Sequence, residues 1–198
     1  MKYIKWLIFA IIDLLFNAIA YLTNPFVLLF ADEVGNLPKI FLWWENWDDH
    51  LDVEWMISEH HVPSWAEYDF NRHYKYYDEW EAEKTIGEHR GYVELLDPNF
   101  TIKERFQRYF CRLAWLYRNC AYGFSYYITG VNVNKSDIVK NRDNTDDIYY
   151  TTHDAWVVKY DKPSFSNFHW EIFLGWKMQN VTEVTERCML AFRINPFQ

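Results

Sequence analysis

Phe168-His169-Trp170-Glu171-Ile172-Phe173-Leu174-Gly175-Trp176-Lys177-Met178 places Phe168, Trp170, Ile172, Leu174, Trp176 and Met178 on one side of an extended chain. Successive side chains of a strand point to opposite faces, so period two over this length predicts a strand with one face toward a core. Cys188, Leu190, Phe192 and Ile194 repeat the pattern downstream. Upstream, Ala155 to Tyr160 forms a further run before an expected turn at Asp161-Lys162-Pro163, and Phe124 to Val133 is rich in β-forming residues. The polar run Asn134 to Asp147 reads as a loop. Strands with a common inward face predict an antiparallel meander over 124–195.

Before the meander the period changes. Thr101 followed by Glu104 is a capping-box pattern, in which each side chain satisfies an exposed backbone donor at a helix start. The helix expected over 101–122 carries Phe106, Phe110, Leu113 and Tyr117 on an apolar face, and Gly123 is its expected stop. Arg105, Arg108, Arg112 and Asn119 share another face. Guanidinium groups in a row hold phosphate or carboxylate oxygens in a forked geometry. These three arginines are therefore candidates for contact with anionic lipid headgroups or an acidic partner, or for pairing with acidic residues of the same chain.

Those acidic residues are concentrated upstream. Between Glu45 and Asp97 fifteen acidic residues stand against four basic ones, a formal charge of −11, interleaved with six Trp from Trp43 to Trp80. Disordered chains are poor in aromatics, so the part 43–97 is expected to pack, at least partly. Asp48, Asp49, His50 and Asp52 are ligand types for a divalent cation, with Glu54, Glu59, His60 and His61 close behind. They lack the EF-hand glycine and terminal glutamate and the HExxH spacing. Arg72 to Glu81 reads as an exposed helix of mixed charge.

At the N-terminus, Trp6 to Phe30 contains a single formal charge, Asp13. The uninterrupted part, Trp6 to Leu22, would make a helix of about 25 Å, against about 30 Å of bilayer hydrocarbon. Asn24-Pro25 is expected to break or kink it, because proline removes a donor and disfavours helix before it. On a helical wheel Trp6, Ala10, Asp13, Asn17, Ala20 and Asn24 fall on one narrow face, which should meet protein, water or headgroups, with Ile, Leu and Phe around the rest. The expected division is a membrane-associated segment over 1–31 and one globular domain over 32–198. Two other readings use the same residues: a signal peptide, with a basic start and Ala18-Ile19-Ala20 as cleavage site, and a buried core helix. For a spanning helix, Lys2 and Lys5 place the N-terminus in the cytoplasm.

Composition narrows the function classes. Half of the 198 residues are apolar and 21% are aromatic, which suits one core plus an interface with membrane or protein. A net charge of −8 with no basic tail disfavours nucleic-acid coating. Cys111, Cys120 and Cys188 form no CxxC pair and read as reduced, buried thiols. Phosphate-loop, GxGxxG, GxSxG and kinase signatures are absent, His153-Asp154 and His169-Trp170-Glu171 lie beside no marked nucleophile, and no cofactor is expected.

Longer segments carry a resemblance. Ala20-Tyr21-Leu22-Thr23-Asn24-Pro25, Asp48-Asp49-His50-Leu51-Asp52, Arg112-Leu113-Ala114-Trp115-Leu116-Tyr117-Arg118-Asn119-Cys120-Ala121-Tyr122-Gly123-Phe124, Phe173-Leu174-Gly175-Trp176-Lys177 and Phe192-Arg193-Ile194-Asn195-Pro196-Phe197 resemble a family of small uncharacterised proteins of tailed bacteriophages. The resemblance implies a phage protein at the host inner membrane, or a virion component, that binds lipid, a membrane protein or another phage or host protein. The whole reads as an α+β membrane-associated binding or structural protein. The alternative is an enzyme using a divalent metal in the acidic segment.

Overall fold

A computed structural model describes residues 1–46, 51–52, 65, 69–86, 92–118, 120–143, 147–163, 169–178 and 184–195. The fold is α+β, with an apolar N-terminal helix and antiparallel sheets. It has two units: one combines Met1–Phe16 with Phe124–Gln198, and the other is Asn17–Gly123. Helix α1, Lys2–Val27, contributes its first part to one unit and its second part to the other. Pro25 lies inside α1, which runs on to Val27 and tightens into a 3-10 turn at Leu28–Phe30, so the expected break at Asn24-Pro25 does not occur.

In the unit of Asn17–Gly123, a short helix α2 (Phe70–His73) leads into strand β1 (Tyr74–Tyr77), then helix α3 (Glu79–Ile86) and strand β2 (Tyr92–Leu95). Strands β1 and β2 pair antiparallel, with Tyr74 opposite Leu95 and Tyr77 opposite Tyr92. The exposed helix expected over 72–81 is therefore a helix end, a strand and a helix start, because His73 and Tyr74 are drawn into a core with Phe70, Val93, Phe100 and Cys111. His73 stacks on Phe100 at 3.9 Å between ring centroids.

Helix α4, Ile102–Arg118, opens with the expected capping box: the Thr101 N–H donates to Glu104 Oε2 at 2.7 Å, and the Glu104 N–H to Thr101 Oγ1 at 3.2 Å. Its buried face carries Gln107, Cys111, Arg112, Leu113, Trp115 and Leu116, whereas Phe106 is 61% exposed. The helix ends at Arg118, and Ala121 holds a left-handed φ of 58°. Gly123 is not the stop. It lies in helix α5 (Tyr122–Tyr127), where its N–H donates to the Glu45 carbonyl at 2.8 Å and a Cβ would collide with the Leu42 carbonyl oxygen.

Among the described residues the other unit holds six strands: β3 (Val131–Asn134), β4 (Lys140–Asp143), β5 (Asp147–Thr151), β6 (Trp156–Pro163), β7 (His169–Lys177) and β8 (Thr185–Asn195). They lie in the order β3-β8-β7-β6-β5-β4, so β4 to β8 form the expected antiparallel meander and β3 adds at the far edge. Three stretches differ from the sequence reading. Tyr122–Tyr127 is helical, and the polar run after Asn134 contains β4, whose backbone pairs with β5 despite its charged side chains. The expected turn at 161–163 is the end of β6, where Asp161 and Lys162 lie opposite Glu171 and Trp170. Gly175, at φ 112°, lets β6 approach: a Cβ there would strike the Trp156 carbonyl oxygen. The core of this unit gathers Tyr150, Trp156, Val157, Trp176, Cys188 and Leu190 against Ala10 of α1.

Candidate functional site

Helix α1 separates its side chains by chemistry along its whole length. In the first unit, the Lys2 ammonium donates to the Thr151 hydroxyl and to the Thr152 carbonyl, and Trp6 meets Trp156 edge-on at 5.3 Å. One turn on, Ala10 enters the core. The buried Asp13 carboxylate then accepts hydrogen bonds from the Ser125 hydroxyl at 2.7 Å and the Thr129 hydroxyl at 3.2 Å. Phe16 stacks on Phe124 at 4.1 Å.

The second part repeats this against its own unit. Ala20 is fully buried, the Asn24 amide donates to the Leu116 carbonyl at 3.2 Å, and the Cys120 thiol lies 3.8 Å from the Asn17 carbonyl. The Tyr109 hydroxyl donates to the Pro25 carbonyl at 2.7 Å. Of the expected polar face, Asp13 and Asn24 thus meet protein through their side chains, and Asn17 is half-buried. Buried polar groups need such partners, because losing water without a replacement bond costs about 1 to 3 kcal/mol each.

The remaining surface of α1 is apolar and open. Ile4, Leu7, Ile11, Leu15, Leu22 and Phe26 are each more than half exposed. Between Lys5 and Asp32 the only formal charge is Asp13, and it points inward. From Lys2 to Phe30 the helical stretch of 29 residues is, by length and composition, apolar enough to cross a membrane, and only 22% of its most apolar window is buried.

The three arginines do not form one exposed stripe. Arg112 is only 4% exposed and grips Asp52 with two bonds of 2.8 Å. Its guanidinium also donates to the carbonyls of Asp32 at 2.8 Å and Glu33 at 2.9 Å. Arg108 donates to the Tyr74 hydroxyl at 2.6 Å and lies over the Phe100 ring, and that hydroxyl in turn donates to the Glu33 carbonyl at 2.7 Å. Arg105 reaches the Phe100 carbonyl at 3.4 Å. Of the two roles open to Arg112, contact with an external anion gives way to pairing within the chain: its anion is Asp52, and the pair clamps the turn that follows α1. The wheel placed the arginines together because it carries no information about a carboxylate 60 residues away.

Of the candidate metal ligands, Asp48, Asp49 and His50 lie outside the described residues, and the Asp52 carboxylate is occupied by Arg112. No group of three metal-ligating side chains occurs among the described residues. Among the described residues, His153 lies 3.1 Å from Asp154 with both side chains in open solvent, and the buried His73 lies 3.3 Å from Glu104. The His73 Nδ1 lies 2.8 Å from the Asp97 carbonyl, which can only accept, so Nδ1 carries a proton. Hydrogen bonds from the Thr101 hydroxyl and N–H hold the Glu104 carboxyl down at about 2. An anion already used as a helix cap is a structural partner for His73. Cys188 is inert for a similar reason of surroundings, since burial pushes its thiol up to about 12.

No curated protein and no solved structure matches this chain. Over residues 1–198 the chain belongs to a family of unknown function (DUF7338).

Proposed function

We propose that this chain is a membrane-associated binding or structural protein that lies on a bilayer through the outer face of α1. The observation that carries this reading is the sorting of α1: the Asp13 carboxylate and the Asn24 amide N–H on its inner face bond to the protein, while beyond Lys5 the outer face offers large apolar side chains and no charge. Water is a poor environment for such a face, and an exposed apolar area this long marks an interaction site. A helix with one apolar face settles about 5 to 10 Å deep at the boundary of headgroups and acyl chains.

Lying on the bilayer fits better than crossing it. A crossing helix must give up water on all sides, yet Lys2, Asp13 and Asn24 bond to strands, loops or helices that carry charged residues of their own. At about 1.5 Å per residue the helix would extend about 39 Å along the surface. The likeness to tailed-phage proteins supports a host inner membrane as the location, with the virion as the other possibility for a phage protein.

The test is vesicle flotation of the full chain on neutral phosphatidylcholine, beside a variant carrying Ile11→Asp and Leu15→Asp. Both positions are exposed, so the fold should survive. Each buried aliphatic side chain contributes about 1.5 to 3 kcal/mol, so the double change should weaken partitioning by roughly two orders of magnitude or more. Full-length protein that stays at the bottom of the gradient would overturn the reading.

A further inference from the structure

The sequence Pro38-Lys39-Ile40-Phe41-Leu42-Trp43-Trp44 follows the end of α1 and stays apolar beyond it. Pro38, at φ −55° and ψ 146°, enters a 3-10 turn over Lys39–Phe41, closed by the Phe41 N–H on the Pro38 carbonyl at 2.8 Å. The turn is fastened to the end of α1 inside the unit of Asn17–Gly123. Phe41 packs on Phe30 at 5.2 Å, and the Trp44 indole N–H donates to the Thr23 hydroxyl at 2.8 Å. On its other side the Leu42 backbone presses on Gly123, where there is no room for a Cβ.

Rigid support contrasts with what the turn displays. Ile40 at its tip is 81% exposed, and Leu29 and Phe30 beside it are also open. A β-branched apolar side chain held out in water by a well-packed base gains nothing for the fold. Lys39 and the part-exposed Trp43 flank it, the residue types that settle at the headgroup level with an apolar residue between them. A lysine there extends its ammonium outward while its methylene stem stays along apolar surface.

We propose that Lys39–Phe41 is a second lipid-contact element, an insertion turn that places Ile40 and Phe30 among the acyl chains of a phospholipid bilayer, with Lys39 and Trp43 at its headgroups. This rests on reading the outer face of α1 as lipid-facing, and it adds a fixed point at the C-terminal end of that helix. A bilayer suits the tip better than a protein does. Ordinary protein interfaces carry a hydrogen bond per roughly 100 to 200 Å², and the tip offers aliphatic and aromatic groups with one ammonium.

The experiment labels the full chain with an environment-sensitive fluorophore at one introduced cysteine at a time: Ile40→Cys, Ile11→Cys on the helix face, and Ser136→Cys at an exposed turn of the other unit. The three native cysteines are buried and should not react in the folded protein. With phosphatidylcholine vesicles, labels at 40 and 11 should shift to the blue and be quenched by lipids carrying a quencher on the acyl chain, and the label at 136 should not. A shift at 11 without one at 40 overturns the insertion turn and leaves the helix reading standing. No shift at either overturns both. A shift at 40 that arises without lipid, as protein concentration rises, assigns the tip to a second copy and also overturns it. Unlabelled Ile40→Asp should bind vesicles about tenfold more weakly with an unchanged circular dichroism spectrum.

Discussion

Arg112 and Asp52 form a forked, buried ion pair whose guanidinium also closes onto two carbonyls of the turn after α1. Removing one partner of such a pair leaves the other charge buried, which typically costs about 3 to 5 kcal/mol. Asp52→Ala should therefore lower the unfolding free energy by about that amount in urea titration followed by circular dichroism. A loss below about 1 kcal/mol would mean that the carbonyls and the Tyr74 hydroxyl hold the guanidinium by themselves. At this scale the sequence was half legible. Asp13, Asn17 and Asn24 were readable as a face because their spacing is local to one helix. For Arg112, pairing with an acidic residue of the same chain was one of the readings that the sequence offered, but which carboxylate it meets and that the pair is buried were not legible, since they depend on a long-range fold that brings residue 52 to it. His73 and Tyr74 were missed for a related reason: polar neighbours on both sides disguise two side chains that the pairing of β1 with β2 buries.

Among the elements, α4 offers the clearest dependence on pH. Its start is fixed by Thr101 and Glu104, whose carboxyl sits at about 2 rather than near its ordinary value of 4.5 because the Thr101 hydroxyl and N–H bond to the charged form. A carboxyl held lower in the folded protein than in the unfolded chain contributes stability above pH 4.5 that is lost as pH falls toward 2. Thermal unfolding between pH 5 and 2.5 should show this as a declining midpoint, and Glu104→Gln should be less stable at pH 6 while losing less on acidification. Equal slopes for the two proteins would remove the cap from the account. The capping box, the strands β7 and β8 and the apolar helix were all visible in the sequence, because each is written in a local period or a four-residue motif. Where β6 ends and where the helical segment after Ala121 stops were not, because backbone pairing carries Asp161 to Pro163 past turn-like residues and packing against Leu42 and Glu45 selects helix at Gly123.

For the whole molecule, charge and apolar surface pull in different directions. The net charge is −8, the stretch from Glu45 to Asp97 carries −11, and Arg112 is spent inside. A membrane face made of aliphatic side chains then gains little from anionic lipid. Vesicle binding should be no stronger with anionic than with neutral lipid at low salt, and any weakening by anionic lipid should fade as salt shortens the screening length to about 10 Å at 0.1 M. A strict need for anionic lipid would return Arg105 and Arg108 to the surface role that their spacing first suggested. Composition had announced both the acidity and the aromatic excess, whereas the division into two units, with α1 shared between them, could not be read from hydropathy. That sharing bears on how the protein is made. The two hydroxyls that Asp13 accepts from are 112 and 116 residues further along the chain, and synthesis at about 5 to 20 residues per second delivers them several to some twenty seconds after Asp13 itself. During that interval the emerging α1 is an apolar segment awaiting its docking surface, so a nearby bilayer or a chaperone meets the helix before its own sheet does.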